Sequence, residues 1–169
     1  MLIIKLIISV LIVYICTYLG IYKAKSYEIR EKELKNLKNA FSFFRSKIEF
    51  TYEPIKDIFT QISKVIYDSK NNVFLKYVEY LEKETTENAW IMAVENGMHN
   101  IKKEDKEILK MFGKLLGKTD KNGQISEIEL TQEFLEKQIE NAEFEKNKNS
   151  KLYKSLGTLL GVGIIIILA

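Results

Sequence analysis

The chain has 169 residues and a net charge of +3, with 46% hydrophobic and 29% charged residues. One Cys and one His exclude an intramolecular disulfide framework, a multi-Cys zinc site and a multi-His metal centre. So mild a charge gives no argument for nucleic-acid binding, and the single Pro, few Gly and abundant Lys, Glu, Leu and Ile point to long helices.

The apolar residues concentrate at the two ends. Leu2 to Tyr22 carries one charge, Lys5. As a helix it extends about 31 Å, enough to cross a hydrocarbon core. Lys5 lies near the end, where its stem can snorkel to the headgroups. A cleaved signal peptide wants small residues before the cut, and Tyr22-Lys23-Ala24 does not offer them. Ile15 is too bulky to precede a lipidated Cys16. The run is expected to be a retained membrane anchor, residues 1–22.

The polar chain that follows keeps a heptad: Leu34, Leu37, Phe41, Phe44 and Ile48 fall at alternate spacings of three and four. With no Pro or Gly from Ile21 to Tyr52, the first helix is expected to run from the membrane into the domain. Pro54 ends it and suits the first turn of a second helix, striped by Ile55, Ile58, Phe59, Ile62 and Ile66. Asp68 to Asn72 reads as a turn. Val73, Phe74, Tyr77, Val78 and Leu81 give a short third helix. Thr85 or Thr86 caps a fourth, which carries Ala89, Trp90, Ala93 and Val94 and closes at Gly97. A fifth covers about Lys103 to Leu116, with Ile108, Leu109, Phe112, Leu115 and Leu116 inward, and Gly117 sits where a left-handed cap is expected.

The last helix is expected to start after Gly123 and to keep Ile125, Ile128, Gln132, Leu135, Ile139 and Ala142 on one face. No Pro follows Ser126, so it is expected to continue into an apolar tail. Seven Glu lie between Glu127 and Glu145, followed by a Lys cluster, a grading that suits the helix dipole and anionic headgroups.

The tail, Ser155 to Ala169, has no charge and extends about 23 Å as a helix, short for a span. Lys154 can snorkel and Tyr153 can sit at the interface, which adds a turn. Gly157 and Gly161 form one G-x-x-x-G pair, which either lets another helix approach closely or is an ordinary pair of membrane glycines. Six basic and three acidic residues from Lys23 to Lys38, and four Lys without acid from Lys146 to Lys154, place both flanks in the cytoplasm by the positive-inside rule. The sequence thus predicts an all-α, compact six-helix bundle whose first and last long helices extend into N- and C-terminal transmembrane segments. Residues 1–22 and 153–169 cross the membrane and 23–152 form a cytoplasmic domain.

Candidate chemistry is sparse. Lys118 to Glu129 has the outline of a calcium loop, with Asp120, Asn122, Gly123 and Glu129 in place. Lys118 stands at its first position, however, and puts a cation where calcium would bind. Asp120 or Ser126 is better read as a helix cap. His99 stands alone in a loop, Cys16 lies in the anchor, and Trp90 and the Phe residues read as core. No phosphate loop, nucleophile elbow or metalloprotease motif is present. No catalytic role, cofactor or nucleic-acid partner is expected.

Three stretches resemble one family. Lys47-Ile48-Glu49-Phe50-Thr51-Tyr52-Glu53-Pro54-Ile55 is similar to its helix-turn. Leu109, Phe112, Gly113, Leu116, Gly117 and Asp120 match its L-x-x-F-G-x-x-L-G-x-x-D. Lys154, Ser155, Leu156, Gly157 and Gly161 match its K-S-L-G before the apolar tail. On these motifs, their order and the apolar ends, the chain resembles the stage III sporulation protein AB family of endospore-forming bacteria along nearly its whole length. Lys121-Asn122-Gly123, inserted after Asp120, departs from the pattern.

The resemblance implies a non-enzymatic platform subunit of a secretion-like channel complex between mother cell and forespore, with a soluble domain like those of the type II secretion F protein. It implies as partners a companion secretion-type ATPase, other membrane proteins of the complex and the lipid bilayer, and it leaves room for a homo-oligomer. It places the protein in the outer forespore membrane with its domain in the mother-cell cytoplasm. The alternative is a membrane-anchored coiled-coil scaffold or dimerisation module using the Leu34–Ile48 heptad. Within the second motif, Gly113 and Gly117 would allow close helix packing and Asp120 would cap or orient the last helix.

Overall fold

A computed structural model describes the backbone of residues 2–51, 53–65 and 72–168, and the side chains of these except 2–7, 9, 154, 157, 158, 160–162 and 164–168. Six helices follow in order: α1 (Leu2–Phe50), α2 (Ile55–Val65), α3 (Val73–Tyr80), α4 (Thr86–Gly97), α5 (Lys103–Leu115) and α6 (Lys121–Leu168). No strand occurs among the described residues. Ile66 and 68–71 of the expected stripe and turn lie outside them.

Each boundary has a local cause. α1 closes where Thr51 returns both its backbone N–H and its hydroxyl to the Lys47 carbonyl, each at 2.8 Å. The Pro54 carbonyl then accepts from the N–H groups of Asp57 and Ile58, which opens α2. Buried Asn72 caps α3 by accepting from the Phe74 N–H at 3.0 Å, and its amide donates to the Ser63 carbonyl at 3.0 Å, tying the end of α2 to the start of α3. Thr85, not Thr86, caps α4. Asp105, fully buried, accepts from the Lys102 N–H at 2.8 Å at the start of α5.

The described chain forms two compact units, one of residues 32–139 and one of residues 1–31 with 140–169. The first is built around an aromatic cluster. Phe41 and Phe44 of α1, Phe59 of α2, Phe74 and Tyr77 of α3, Trp90 of α4 and Phe112 of α5 are each at most 2% exposed. Their rings meet mostly edge-on, with Phe41–Phe112 at 4.8 Å, Phe44–Phe59 at 4.9 Å and Phe59–Tyr77 at 4.9 Å. Such pairs add about 0.5–1.5 kcal/mol each beyond their buried area. In the same unit α1 and α6 run antiparallel: Lys38 pairs with Glu136, the Ser42 hydroxyl accepts from Gln132 at 2.7 Å, and Arg45 pairs with Glu129 at 2.8 Å.

Within the other unit the same two helices are again antiparallel. Arg30 pairs with Glu145 at 2.9 Å, Lys146 with Glu31 at 2.6 Å, and the Tyr27 and Tyr153 rings stack at 6.0 Å. Gly20 and Ala24 are buried there, a pair of small residues one turn apart that lets helices approach closely. No helix is long and apolar enough to cross a membrane among the described residues. Apart from Lys154, the helix positions whose side chains lie outside them fall in the apolar runs 2–22 and 155–169.

Several expectations are corrected. Leu115 is 41% exposed while Leu116 is buried. Leu116, with a helical φ of −58°, continues the buried face of Asp105, Leu109 and Phe112 at spacings of four, three and four, and Leu115 falls off it. α6 starts at Lys121, before Gly123, because Asp120 caps it. Ile48, Ile55, Ile108, Val78, Leu81 and Ile125 are only half-buried, toward helix ends or at the edges of their stripes. The heptad's Leu34, Leu37, Phe41 and Phe44 are buried by their own chain, so this seam is not free to pair with another coiled-coil strand.

Candidate functional site

The Leu109–Asp120 motif is the densest group of singled-out residues, and each member has a physical task. Leu109 is fully buried, and its backbone carbonyl accepts a 2.6 Å hydrogen bond from the Trp90 indole N–H. A buried indole N–H without a partner would carry a desolvation cost of about 1–3 kcal/mol. One turn on, Gly113 faces the same ring. A Cβ there would run into Trp90 Cδ1 and lie 3.1 Å from its Cγ. Phe112 packs edge-on against Phe41, Phe44 and Trp90, the last at 5.5 Å. Leu116 fills the core below them at 2% exposure.

The chain then turns sharply. Gly117 has a φ of +74°, the only positive φ among the described residues. That region is open to Gly and strained for side chains with a Cβ. The Lys118 N–H donates to the Leu115 carbonyl at 3.0 Å, and the Asp120 carboxylate accepts from the Gly123 N–H at 2.9 Å. The latter satisfies one orphan donor at the start of α6. Asp120 therefore acts as a cap, and the calcium-loop outline resolves into a helix start.

Pro54 is exposed between α1 and α2. Beside it, Glu53 accepts from Lys47 at 2.9 Å and Gln61 at 2.5 Å, and these bonds hold its carboxyl below the ordinary carboxylate range. Ser155 and Leu156 are exposed residues of α6 in the other unit, and the side chains of Lys154, Gly157 and Gly161 lie outside the described residues. Pro54 and the Leu109–Asp120 motif share the unit of residues 32–139.

A second polar feature lies between α4 and α5. Glu95 takes Lys110 at 2.5 Å and Lys106 at 3.2 Å, and Lys110 also meets Glu107 at 3.0 Å. The lysine hydrogen bonds lower the Glu95 carboxyl, and Glu95 in turn raises the Lys110 ammonium. These charges satisfy one another at a solvated surface. Among the described residues no group of three or more His, Cys, Asp or Glu is placed to hold a metal ion. His99 is exposed.

The Trp90–Leu109 bond and the Asn72 link escaped the sequence. A lone Trp and a mid-helix Gly are its visible traces, but neither names its partner.

What fold and motif define is a small all-helical domain built on two long helices, with its signature residues given over to packing, turning and capping. The profile of the stage III sporulation protein AB family (spore_III_AB) matches residues 5–169, and the chain belongs to that family of sporulation proteins. It is 30% identical over 168 residues to stage III sporulation protein AB of Bacillus subtilis (strain 168), covering 97% of this chain and 98% of that one. A solved structure of stage III sporulation protein AB (SpoIIIAB) superposes with a TM-score of 0.63 at 23% identity, over 71% of this chain and 98% of the other. That likeness shows the fold.

Proposed function

We propose that this protein is a non-enzymatic membrane platform subunit of a secretion-like channel complex between mother cell and forespore, required for endospore formation. Its helical domain couples a cytoplasmic ATPase to the membrane components of the complex. Its two apolar ends anchor it in the outer forespore membrane, with the domain in the mother-cell cytoplasm.

The observation that carries this reading is the antiparallel pairing of α1 and α6 at Tyr27–Tyr153, Arg30–Glu145 and Glu31–Lys146. Two helices so paired send residues 2–22 and 155–168 out on the same side, as a membrane hairpin needs. The basic flanks then favour the cytoplasmic face for the residues between them. Membership of a sporulation family supports the setting.

The test has two arms. In sporulating cells a Cys16→Ser chain with a single Cys at exposed Glu82 should resist an impermeant thiol reagent until the cells are opened, whereas strong labelling of intact cells would sink the hairpin. Solubilised in mild detergent, the tagged chain should co-purify with an ATPase and other membrane proteins. Recovery of the chain by itself would remove the coupling role.

A further inference from the structure

Where the two long helices approach their apolar runs, the charge is of one sign. Residues 23–27 of α1 and 146–154 of α6 hold six Lys and no Asp or Glu, in a chain whose 26 basic residues stand against 23 acidic ones. The stacked Tyr27 and Tyr153 rings and the Lys146–Glu31 pair bring the two stretches to the same level. Lys23, Lys25, Lys148 and Lys151 are exposed, and none of these four pairs with a carboxylate among the described residues. The first carboxylates beyond the band are Glu28 on α1 and Glu145 on α6, the latter bonded to Arg30 at 2.9 Å.

Depth and surroundings match the charge. Counted along the helices from Tyr22 and Ser155, the four lysines begin about 1.5 to 10.5 Å from the apolar runs. That puts their ammonium groups within reach of the headgroup layer flanking a hydrocarbon core. Beside and below them the surface turns apolar: Tyr22, Leu152, Leu156 and Leu159 are 42–68% exposed. On α6, Lys148, Lys151 and exposed Ser155 fall at spacings of three and four, so two ammonium groups and a hydroxyl share one helix face. Membrane orientation does not require this pattern in full. The positive-inside rule counts Lys and Arg, and Asp and Glu contribute little to it. A band free of carboxylates is what a negatively charged surface favours.

We infer that this basic collar binds the phosphates of anionic phospholipids and prefers them to zwitterionic lipids. The inference rests on the membrane hairpin proposed above and adds the lipid class to it. Charge complementarity fixes the sign of the ligand. The adjoining apolar surface selects a lipid over a free anion, because acyl chains cover Tyr22, Leu152, Leu156 and Leu159 while the phosphate meets the lysines.

Electron spin resonance of labelled lipids tests the assignment. The full-length chain is reconstituted in phosphatidylcholine vesicles with a trace of spin-labelled phosphatidylglycerol or phosphatidylcholine, and the fraction of label immobilised on the protein is compared. Phosphatidylglycerol should be preferred about fivefold, the equivalent of roughly 1 kcal/mol, and high salt should shrink the preference. Lys23→Gln, Lys25→Gln, Lys148→Gln and Lys151→Gln together should abolish it, and Arg at the same four positions should keep it. Lys103→Gln with Lys114→Gln, at exposed lysines of the other unit, should leave it unchanged. Inorganic phosphate should compete no better than chloride at equal ionic strength. Equal immobilisation of the two lipids, a preference that survives the fourfold Gln variant, an equal loss in the Lys103 and Lys114 variant, or competition by millimolar phosphate overturns the assignment. Immobilisation of neither lipid would overturn the hairpin itself, so failure of one proposal is distinguishable from failure of the other.

Discussion

The Trp90 indole occupies the space where Gly113 would carry a side chain, and it is fixed there by its hydrogen bond to the Leu109 carbonyl. The Leu-x-x-Phe-Gly spacing follows from that contact. The carbonyl that receives the indole and the glycine that makes room for it must stand one helical turn apart on the same face of α5.

Gly113→Ala sets two effects against each other. Alanine gains about 1 kcal/mol of helix propensity, while its methyl must displace a ring pinned by a hydrogen bond and by five neighbouring aromatic rings, Phe41, Phe59, Phe74, Tyr77 and Phe112. Overpacking of this kind costs about 1–3 kcal/mol, so the net effect should be a loss. In a Trp90→Leu background the obstacle is gone and Gly113→Ala should become neutral or stabilising. Thermal melts of the four proteins of this cycle, full-length in detergent micelles, give the comparison. An equal loss in both backgrounds would refute the contact as the reason for the glycine.

Gly117→Ala should destabilise for a different reason. The nearest atoms to an added Cβ are Thr86 Cγ2 at 3.7 Å and Ile55 Cδ1 at 3.8 Å, so there is room. The cost is conformational, about 1–2 kcal/mol for an L-residue in the left-handed region. Asparagine visits that region more readily, and Gly117→Asn should lose less than Gly117→Ala in the same melts. Equal losses would point to sterics instead.

Phe112→Ala should cost about 3–5 kcal/mol, because the ring is 2% exposed and touches Phe41, Phe44 and Trp90. A loss under about 1 kcal/mol by chemical denaturation would mean that the cluster collapses around the missing ring at little cost.

Much of this was readable from local pattern. Pro54, Gly97 and Gly117 punctuate helices whose apolar residues recur at three and four, and the positive φ of Gly117 falls where helix-end chemistry requires it. Two kinds of information were not local. The heptad through Leu34, Leu37, Phe41 and Phe44 is equally compatible with pairing inside the chain or between chains, and only the fold shows it buried by its own chain, with Phe59, Trp90 and Phe112 against Phe41 and Phe44. Leu115 and Leu116 are identical side chains at a helix end, and only the fold shows that the buried face runs through Leu109, Phe112 and Leu116 and leaves Leu115 outside it. The Trp90–Leu109 bond joins residues nineteen apart, with no periodic trace to announce it.

Glu33 gives the pH dependence. One of its carboxylate oxygens accepts from the Asn100 amide at 2.7 Å, and the other is buried with no hydrogen-bond partner among the described residues. Burial pushes its carboxyl above the ordinary 4.5, against the opposing effects of the Asn100 hydrogen bond and nearby His99. Between 4.5 and the raised folded value the native state holds more protons at this site than the unfolded chain does. Stability therefore falls as pH rises through that window and carries a constant penalty above it. Below both values the penalty is absent. Glu33→Gln keeps an acceptor for Asn100 and removes the charge, and burying a neutral amide costs less than burying a carboxylate. The variant should match the parent near about pH 4 and melt higher than it at about pH 7. Melts of both proteins across that range read the difference directly. A variant whose offset from the parent is the same at every pH would show that Glu33 titrates in the folded chain as it does in the unfolded one.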